Sequence, residues 1–221
     1  MASYYGNYEF TNKQRRYIKF KRFFDFILAL ILLVILSPIL LIAALWVKAE
    51  SKGPIIFKQR RPGYKQKIFS IYKFRSMMTE TIKEGKYLTD DERLTKSGKL
   101  LRKTSIDELP QLINILKGEM SFIGPRPFLI NDLGSYNEEQ LIRFEVLPGI
   151  TSWTAIHGRN MVSIQEKYNY EIYYVKNIGF KLDVEIFFKT IFLVFSQKDV
   201  VDNVNEGRIG GKIMNDIGDA K

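Results

Sequence analysis

Residues 26–47 read FILALILLVILSPILLIAALWV, a stretch without a charged residue. An apolar run longer than about 18 residues is typical of a segment that enters a lipid bilayer. The apolar core of a cleaved signal peptide is shorter, at about 7–15 residues, and a buried core helix of this length without a polar face is uncommon. The stretch therefore predicts a membrane segment.

Ser37 and Pro38 lie in the middle of this run. Proline removes a backbone hydrogen bond and collides with the preceding turn, so we expect the helix to break there. The part before the break has about 12 residues and a length of about 18 Å, against about 30 Å for the hydrocarbon core. We therefore expect a re-entrant hairpin, with the Ser37 hydroxyl satisfying part of the interrupted backbone. A kinked helix that crosses the bilayer is the alternative.

Basic residues flank both ends of the run. Positive charge beside a membrane segment marks its cytoplasmic side, so two basic flanks favour a hairpin with both ends on that side. The flanking residues are Lys13, Arg15, Arg16, Lys19, Lys21 and Arg22 before the run, and Lys48, Lys52, Lys58, Arg60, Arg61, Lys65 and Lys67 after it.

The composition limits the chemistry available to the chain. Its 221 residues suit one domain with or without an anchor, and they include no cysteine and a single histidine, His157. Disulfides, thiolate nucleophiles, cysteine-ligated metals and sites with two histidines are therefore excluded. Carboxylates, Lys, Arg, hydroxyls and a hard metal remain. The net charge of +10 predicts an anionic partner, which could be nucleic acid, an anionic membrane surface or a phosphorylated substrate.

The chain divides into four predicted parts. These are a basic segment over 1–22, a re-entrant membrane helix over 23–48, a folded domain over 49–198 and a loose tail over 199–221. The predicted fold class is α+β and mostly helical, with strands over 55–57 and 68–73 and helices over 97–103, 106–117, 164–177 and 181–195. The apolar last helix suits either a core face or a membrane interface, and the pattern leaves that choice open.

Two acidic clusters are candidates for chemistry. In SIDELPQL, over 105–112, Ser105 and Glu108 have the spacing of a capping box, which favours a structural helix start. The same position would keep Asp107 or Glu108 ionised and rigid, as a nucleophile or magnesium ligand must be. The cluster over 90–92 could hold a metal, but a solvated loop or helix cap is the simpler interpretation.

Several basic residues stand apart from the membrane flanks. Arg126 lies between two prolines, which fix how its side chain is presented and suit phosphate binding, although a solvated turn is an equal alternative. Lys73 and Arg75 alternate as they would along one face of a strand. Arg159 follows Gly158 in a loop, and the adjacent His157 is either a hydrogen-bonding loop residue or a substrate contact. These residues are candidate phosphate or substrate ligands.

Several motifs occur together along the chain. They are the interrupted apolar run, YKFRSM over 72–77, SIDELPQL over 105–112, MSFIGPRP over 120–127, PGIT over 148–151 and GRN over 158–160. This set covers roughly residues 20–195 and resembles the small monotopic phosphoglycosyl transferases of the bacterial sugar transferase family. The resemblance implies a re-entrant membrane helix and transfer of a sugar-1-phosphate from a UDP-sugar to polyprenyl (undecaprenyl) phosphate, with release of UMP. This reaction initiates bacterial glycoconjugate and polysaccharide biosynthesis.

The resemblance also implies roles for individual residues. Asp107 is the nucleophile that forms a phosphosugar–aspartate and lies near a magnesium ion, and Glu108 is its catalytic partner. Phosphate oxygens are held by Lys73, Arg126 and Arg159. Asp183, in a matching Leu-Asp pair, has a structural or site role.

One motif departs from the family pattern. Many members have QVNGR where this chain has AIHGR over 155–159, so Ala155 and His157 replace two amide side chains. This difference bears on the sugar or nucleotide contacts rather than on the reaction type. We expect an N-acetylated amino sugar on the donor, on resemblance alone.

The same resemblance implies a location and partners. We expect a monotopic protein at the cytoplasmic face of the bacterial inner membrane, with interfacial amphipathic helices holding Asp107 at the height of the lipid headgroups. UDP-sugar, polyprenyl phosphate and membrane lipids are the expected partners, and nucleic acid is not. The oligomeric state stays open, with a homodimer as one option.

Two other functions are compatible with parts of the sequence. A non-enzymatic, membrane-anchored module could use its positive charge to recruit nucleic acid or acidic lipid, and its binding would weaken steeply with salt. No nucleic-acid motif supports that function. A magnesium phosphohydrolase using Asp107 would release free sugar phosphate without needing a lipid.

Overall fold

A computed structural model describes residues 8–83, 85–158 and 162–196, apart from the side chains at positions 132, 135, 195 and 196. The tail predicted over 199–221 lies outside the described residues. Helices and short sheets are mixed along the chain, with most residues of regular structure in helices. The expectation of a mixed, mostly helical fold is therefore confirmed.

Two bent helices form the N-terminal part. Helix α1 covers Asn12–Ile35 and helix α2 covers Ser37–Glu50, with Leu36 between them and a bend of 64°. Pro38 is placed in the first turn of α2, where its missing N–H leaves no bond unmade. The Ser37 hydroxyl donates to the Val34 carbonyl at 2.7 Å, which confirms the predicted local partner.

The length and apolarity of α1 and α2 indicate whether either helix could cross a membrane. Among the described residues, no single helix has both the length and the apolarity to cross a bilayer, whereas α1 and α2 together meet that criterion as a broken pair. Their apolar side chains are largely exposed around the bend, as at Val34, which is 69% exposed. The break at Ser37-Pro38 is confirmed, and the re-entrant path through a membrane stays a prediction.

Three small sheets follow. Strand β1 (Ile56–Pro62) pairs antiparallel with β2 (Ile68–Phe74), with Ile56 opposite Phe74 and Pro62 opposite Ile68. Strands β3 (Ile82–Lys83) and β4 (Lys86–Tyr87) form a short hairpin. Strand β5 (Ser121–Ile123) pairs in parallel with β6 (Gly149–Thr151). The two predicted strands are confirmed, and the first is longer than predicted.

The remaining helices surround these sheets. The α-helices are α3 (Asp90–Arg93), α4 (Lys96–Lys103), α5 (Leu112–Leu116), α6 (Trp153–Ile156), α7 (Ile164–Lys176) and α8 (Phe180–Ser196). Turns of 3₁₀-helix cover Ile106–Gln111, Ile130–Ser135 and Gln140–Glu145. The predicted helices over 97–103, 164–177 and 181–195 are confirmed to within one residue at each end. The acidic cluster over 90–92 forms the first turn of α3, capped by Thr89, which confirms its interpretation as a helix cap.

The N-terminal helices share their buried faces with the rest of the fold. Ala29 of α1 packs in one core cluster with Phe69 of β2 and Leu112 of α5. Val47 of α2 packs in another with Phe74 at the end of β2. Because burial of apolar surface stabilises each cluster, the base of the helix pair is held rigidly against the domain that carries the acidic pair.

Helix α8 has two different apolar faces. Ile186 is fully buried in a core cluster with Tyr174 and Val175 of α7. On the other face Phe180 and Phe192 are each 69% exposed. Helix α8 therefore has a core face, and contact of its exposed apolar face with a membrane interface stays a prediction.

Candidate active site

The acidic pair lies in a tight turn rather than at the start of an α-helix. Helix α4 ends at Lys103, and Ser105 adopts a left-handed backbone conformation with φ of 56°. A capping residue needs an extended backbone, so the predicted capping box of Ser105 and Glu108 is wrong, and the Ser105 side chain makes no capping bond. The sharp reversal between α4 and the following turn is what imposes this conformation.

Pro110 explains why the predicted helix over 106–117 begins as a 3₁₀-helix. Proline has no N–H to donate to the carbonyl four residues earlier, and its ring collides with that carbonyl. Residues Ile106–Gln111 therefore form 3₁₀ turns, and the α-helix proper covers Leu112–Leu116. The helix predicted over 106–117 is therefore present, with a 3₁₀ first part and an α-helical second part that ends at Leu116. Gly118, with φ of 72°, follows the helix end, where glycine readily adopts a left-handed conformation.

Glu108 is paired with Lys73. The Lys73 ammonium donates to a Glu108 carboxylate oxygen at 2.8 Å, and both side chains are about a quarter exposed. Strand β2 supplies Lys73 and packs against the 3₁₀ turn that supplies Glu108. Tertiary packing thus brings together two residues that the sequence analysis selected separately.

Asp107 is the buried member of the acidic pair. It is 8% exposed, and burial raises its pKa to about 7, with a further increase from the charge of Glu108. The positive charges of Lys73 and Arg102 act in the opposite direction. At neutral pH Asp107 therefore exchanges readily between its acid and its carboxylate, and additional positive charge would favour the carboxylate.

Arg102 was not predicted as a site residue from the sequence. This residue is in the last turn of α4, and its Nε donates to the Ser76 hydroxyl at 2.9 Å, whereas its buried Nη1 has no hydrogen-bond partner among the described residues. The only sequence feature that could have indicated a role for Arg102 is its position five residues before Asp107. Gly98, one turn earlier in α4, contacts the Ser76 backbone so closely that a Cβ would lie 2.0 Å from its carbonyl oxygen. That contact holds helix α4, which carries Arg102, close to the chain at Ser76.

The loop that carries Arg126 is fixed by a buried carboxylate. The Arg126 backbone N–H donates to Glu171 at 3.0 Å, and the Thr154 hydroxyl donates to the other Glu171 oxygen at 2.7 Å. Arg143 donates to the Arg126 carbonyl. Glu171 is completely buried, and burial raises its pKa despite the nearby charge of Arg143. Glu171 and Arg143 therefore position the loop, although sequence patterns did not single them out.

Arg75 contacts helix α2. It is 5% exposed, and its guanidinium donates to the Val47 carbonyl at 3.2 Å and to the carbonyl and hydroxyl of Ser51 at 2.6 and 2.9 Å. A cation is favourable at a helix C-terminus. Arg75 also occupies the space beside Gly53, where a Cβ would lie 2.2 Å from its Nη1. These hydrogen bonds anchor the end of α2, and a substrate contact of Arg75 stays a prediction.

His157 lies in a cluster of aromatic side chains. Its Nδ1 is 2.9 Å from the Trp153 carbonyl, and its ring is 4.1 Å from the Trp153 ring and 5.2 Å from that of Tyr170. The interpretation of His157 as a hydrogen-bonding residue is confirmed, and its contact with substrate stays a prediction. Arg159 lies outside the described residues.

Asp183 connects helix α1 to helices α7 and α8. It accepts hydrogen bonds from Tyr17 at 2.7 Å and Tyr174 at 2.9 Å, and it is ion-paired with Lys21 at 2.7 Å. It is 6% exposed. These contacts give Asp183 a structural role that ties the N-terminal helix to the domain.

Residues 16–197 match the sequence model of the bacterial sugar transferase family. The chain belongs to the bacterial sugar transferase family. This match includes the broken helix pair, the Asp107–Glu108 turn and the loops around Arg126 and His157.

Individual relatives of this bacterial sugar transferase differ in length and in the sugar they are named for. An uncharacterized sugar transferase, EpsL of Bacillus subtilis (strain 168), is 47% identical over 171 residues, which cover 77% of this chain and 85% of EpsL. A UDP-N-acetylgalactosamine-undecaprenyl-phosphate N-acetylgalactosaminephosphotransferase of Aeromonas hydrophila is 40% identical over 183 residues, 79% of this chain and 43% of that protein. A UDP-glucose:undecaprenyl-phosphate glucose-1-phosphate transferase of Klebsiella pneumoniae is 39% identical over 189 residues, 81% of this chain and 41% of that protein. This chain therefore spans less than half the length of the two relatives named for a sugar.

Proposed function

We propose that this protein transfers a sugar-1-phosphate from a UDP-sugar to polyprenyl phosphate and releases UMP. The observation that carries the proposal is the buried carboxylate of Asp107 beside Arg102 and the Lys73–Glu108 ion pair, in a member of this family. Relatives named for this type of transfer act on undecaprenyl phosphate. One is named for glucose and the other for N-acetylgalactosamine, so the names of the relatives do not fix the sugar. We propose an N-acetylated amino sugar on the donor.

The first half-reaction forms a covalent enzyme intermediate. A carboxylate oxygen of Asp107 attacks the phosphorus that carries the sugar, and the bond from that phosphorus to the bridging oxygen breaks. UMP leaves with the bridging oxygen and its electron pair, and a phosphosugar–aspartate remains on the enzyme. Burial raises the pKa of Asp107 to about 7, so the carboxylate is available at neutral pH, and a cation that binds with the donor would favour it further.

The second half-reaction returns the enzyme to its starting state. A phosphate oxygen of the polyprenyl phosphate attacks the same phosphorus, and the bond to Asp107 breaks. The product is a polyprenyl diphosphate sugar, and Asp107 recovers its carboxylate. Because the two substrates use one site in turn, a soluble donor and a lipid acceptor need not bind together. Glu108, held by Lys73, accepts a proton from the acceptor phosphate when that group arrives protonated.

Positive side chains balance the charge of the diphosphate. The charges of Arg102 and Lys73 act on Asp107, and we assign these two side chains to the phosphate oxygens that gain charge as the bond breaks. Arg126, presented by a loop that Glu171 fixes, and Arg159 are assigned to the more distant phosphate groups of donor or acceptor.

Magnesium fits this site as an ion shared with the substrate. No group of three or more His, Cys, Asp and Glu side chains is placed to hold a metal within residues 8–83, 85–158 and 162–196. Mg²⁺ commonly uses only one or two carboxylates and takes its other ligands from water and substrate phosphates. Asp107, with Glu108 beside it, supplies such a set. When bound, magnesium neutralises diphosphate charge.

The broken helix pair supports a location of this chemistry at a membrane surface. We propose that α1 and α2 enter the cytoplasmic leaflet of the bacterial inner membrane as a re-entrant hairpin. The exposed aromatic face of α8, with Phe180 and Phe192, lies along the headgroups. The phosphate of a polyprenyl acceptor lies at the same height.

Intact-mass measurement tests the proposed intermediate. Purified full-length protein in lipid discs receives a panel of UDP-sugars and magnesium without acceptor. An added mass of one sugar phosphate, absent in Asp107→Asn and retained in the matched surface variant Asp91→Asn, is expected. Acceptor-dependent turnover without an adduct would show direct transfer and remove Asp107 as the nucleophile. Release of free sugar phosphate without polyprenyl phosphate would instead identify a hydrolase.

A further inference from the structure

A cavity of about 430 Å³ lies between the first half of α1 and the chain that follows the 3₁₀ turn Gln140–Glu145. Its apolar wall includes Ile18 of α1, Val146 and Ile178. None of its lining residues is Asp107, Glu108, Lys73 or Arg102, so it is separate from the candidate active site.

The position of the cavity along α1 relates it to the membrane surface. The lining residues of α1 fall between positions 15 and 25, directly before the apolar run that starts at residue 26. On the proposed membrane placement, on which this inference rests, the cavity opens at the level of the lipid headgroups.

The charged side chains at the cavity favour an anion. Lys21 is committed to Asp183 and Asp25, at 2.7 and 3.8 Å, and Glu145 is paired with Lys65. Arg15, Lys19 and Arg22 also line the cavity and are exposed. These three cations make the cavity mouth positive, which is complementary to a phosphate group.

Glu145 provides a second, independent indication of what the cavity binds. Its side chain is 8% exposed and lies on the cavity wall. One carboxylate oxygen is paired with Lys65, and the other, Oε1, is buried and has no hydrogen-bond partner among the described residues. A buried acceptor without a donor is costly, so a ligand that brings a hydroxyl group would be favoured.

We propose that this cavity binds an anionic phospholipid whose headgroup carries a free hydroxyl, as in phosphatidylglycerol. The phosphate lies among Arg15, Lys19 and Arg22, and a headgroup hydroxyl donates to Glu145 Oε1. The start of an acyl chain lies against the apolar wall. The ion pair between Lys21 of α1 and Asp183 of α8 lies beside this cavity. A lipid bound there would therefore fix the depth of α1 in the membrane relative to the rest of the domain.

Retention of lipid by the whole protein tests this proposal. The full chain is prepared in discs of equal phosphatidylglycerol and phosphatidylcholine, released gently, and analysed by native mass spectrometry. We expect about one retained phosphatidylglycerol per chain and a loss of about tenfold in Lys19→Gln/Arg22→Gln. The matched control Lys13→Gln/Arg16→Gln removes the same charge from exposed positions on the same helix outside the cavity, and retention should stay within about twofold.

Two further measurements separate the cavity from general surface charge. Ile18→Trp fills the cavity without changing any charge and should also abolish retention. Discs with phosphatidylmethanol, which has the same charge and no free hydroxyl, should give clearly weaker retention than phosphatidylglycerol. Equal loss in both double variants, or full retention in Ile18→Trp, would overturn the proposal. Because no donor is present, this result does not depend on the adduct at Asp107, which is measured separately.

Discussion

The ammonium group of Lys73 lies 2.8 Å from a carboxylate oxygen of Glu108. This ion pair joins strand β2 to the 3₁₀ turn Ile106–Gln111. As a result, the adjacent acids Asp107 and Glu108 have different environments. Glu108 is partly exposed and neutralised, whereas Asp107 is buried with a pKa of about 7. Different environments for neighbouring carboxylates are a common way to separate their chemical roles.

Removal of the Lys73 charge should shift the pH dependence of adduct formation. Lys73 lowers the pKa of Asp107, so Lys73→Met should raise that pKa further and require a more alkaline pH for the same carboxylate fraction. The rate of phosphosugar–aspartate formation between pH 6 and 9, followed by intact mass, checks this. Lys58→Met, on the neighbouring strand, is the control and should keep the wild-type profile. A shift toward acid in Lys73→Met would contradict the assignment.

Asp107 should lower the stability of the folded protein at neutral pH and above. Its folded pKa, about 7, is above its ordinary value of 3.8, so the folded state binds the proton more tightly than the unfolded state. The stabilising contribution of the protonated group is complete below about pH 4 and is lost as pH rises through about 7. Asp107→Asn should therefore raise Tm by several degrees at pH 8, at about 2–4 °C per kcal/mol, and change it little near pH 4.

Thermal unfolding followed by tryptophan fluorescence checks this difference, with EDTA present and without donor. Asp91→Asn is the exposed control and should not change Tm at either pH. A lower Tm for Asp107→Asn at pH 8 would show that the carboxylate is stabilised by partners rather than opposed by burial.

Glu171 should be essential for stability. Glu171→Ala leaves the Thr154 hydroxyl and the Arg126 N–H without their acceptor and Arg143 without its buried counter-charge. Loss of one member of a buried charged group costs about 3–5 kcal/mol. Gln165→Ala, at an exposed position of the same helix, should cost less than about 0.5 kcal/mol. Denaturant titration of the two variants in detergent gives the comparison.

The path of the helix pair through the membrane can be mapped because the chain has no native cysteine. A re-entrant hairpin places Lys13→Cys and Lys52→Cys on the same face. An impermeant maleimide should label both variants in sealed inside-out vesicles and neither in right-side-out vesicles. Labelling of the two positions from opposite faces would instead establish a spanning helix. Pro38→Ala should increase any spanning population because alanine supplies the N–H that a continuous helix needs at this position and removes the proline ring.

Local sequence patterns were sufficient for the helix break. Proline at position 38 disrupts a helix in almost any context, so the boundary between α1 and α2 could be read from the chain. The order of short motifs was sufficient for the family, which the match over residues 16–197 confirms. Strands β1 and β2 and helices α4, α7 and α8 followed from hydrophobic periodicity and helix-end signals for the same local reason, whereas the short strands β3 to β6 were not predicted.

The surroundings of the acidic pair could not be predicted in this way. Ser105 fits a capping box by spacing, but the close approach of α4 to the 3₁₀ turn forces it into a left-handed conformation. Arg75 and Lys73 are two residues apart, yet one caps α2 and the other pairs with Glu108. Their partners are distant in sequence and meet only through packing.

The sequence by itself determined that a charge-free apolar segment is broken at Pro38 and that adjacent carboxylates follow a basic helix end. These features depend on neighbouring residues and on covalent geometry. Only the tertiary structure decided that Asp107 is the buried carboxylate, that the charge of Arg102 acts on it and that Lys73 pairs with Glu108. Burial and electrostatic interaction depend on distance in space, and local spacing along the chain does not specify that distance.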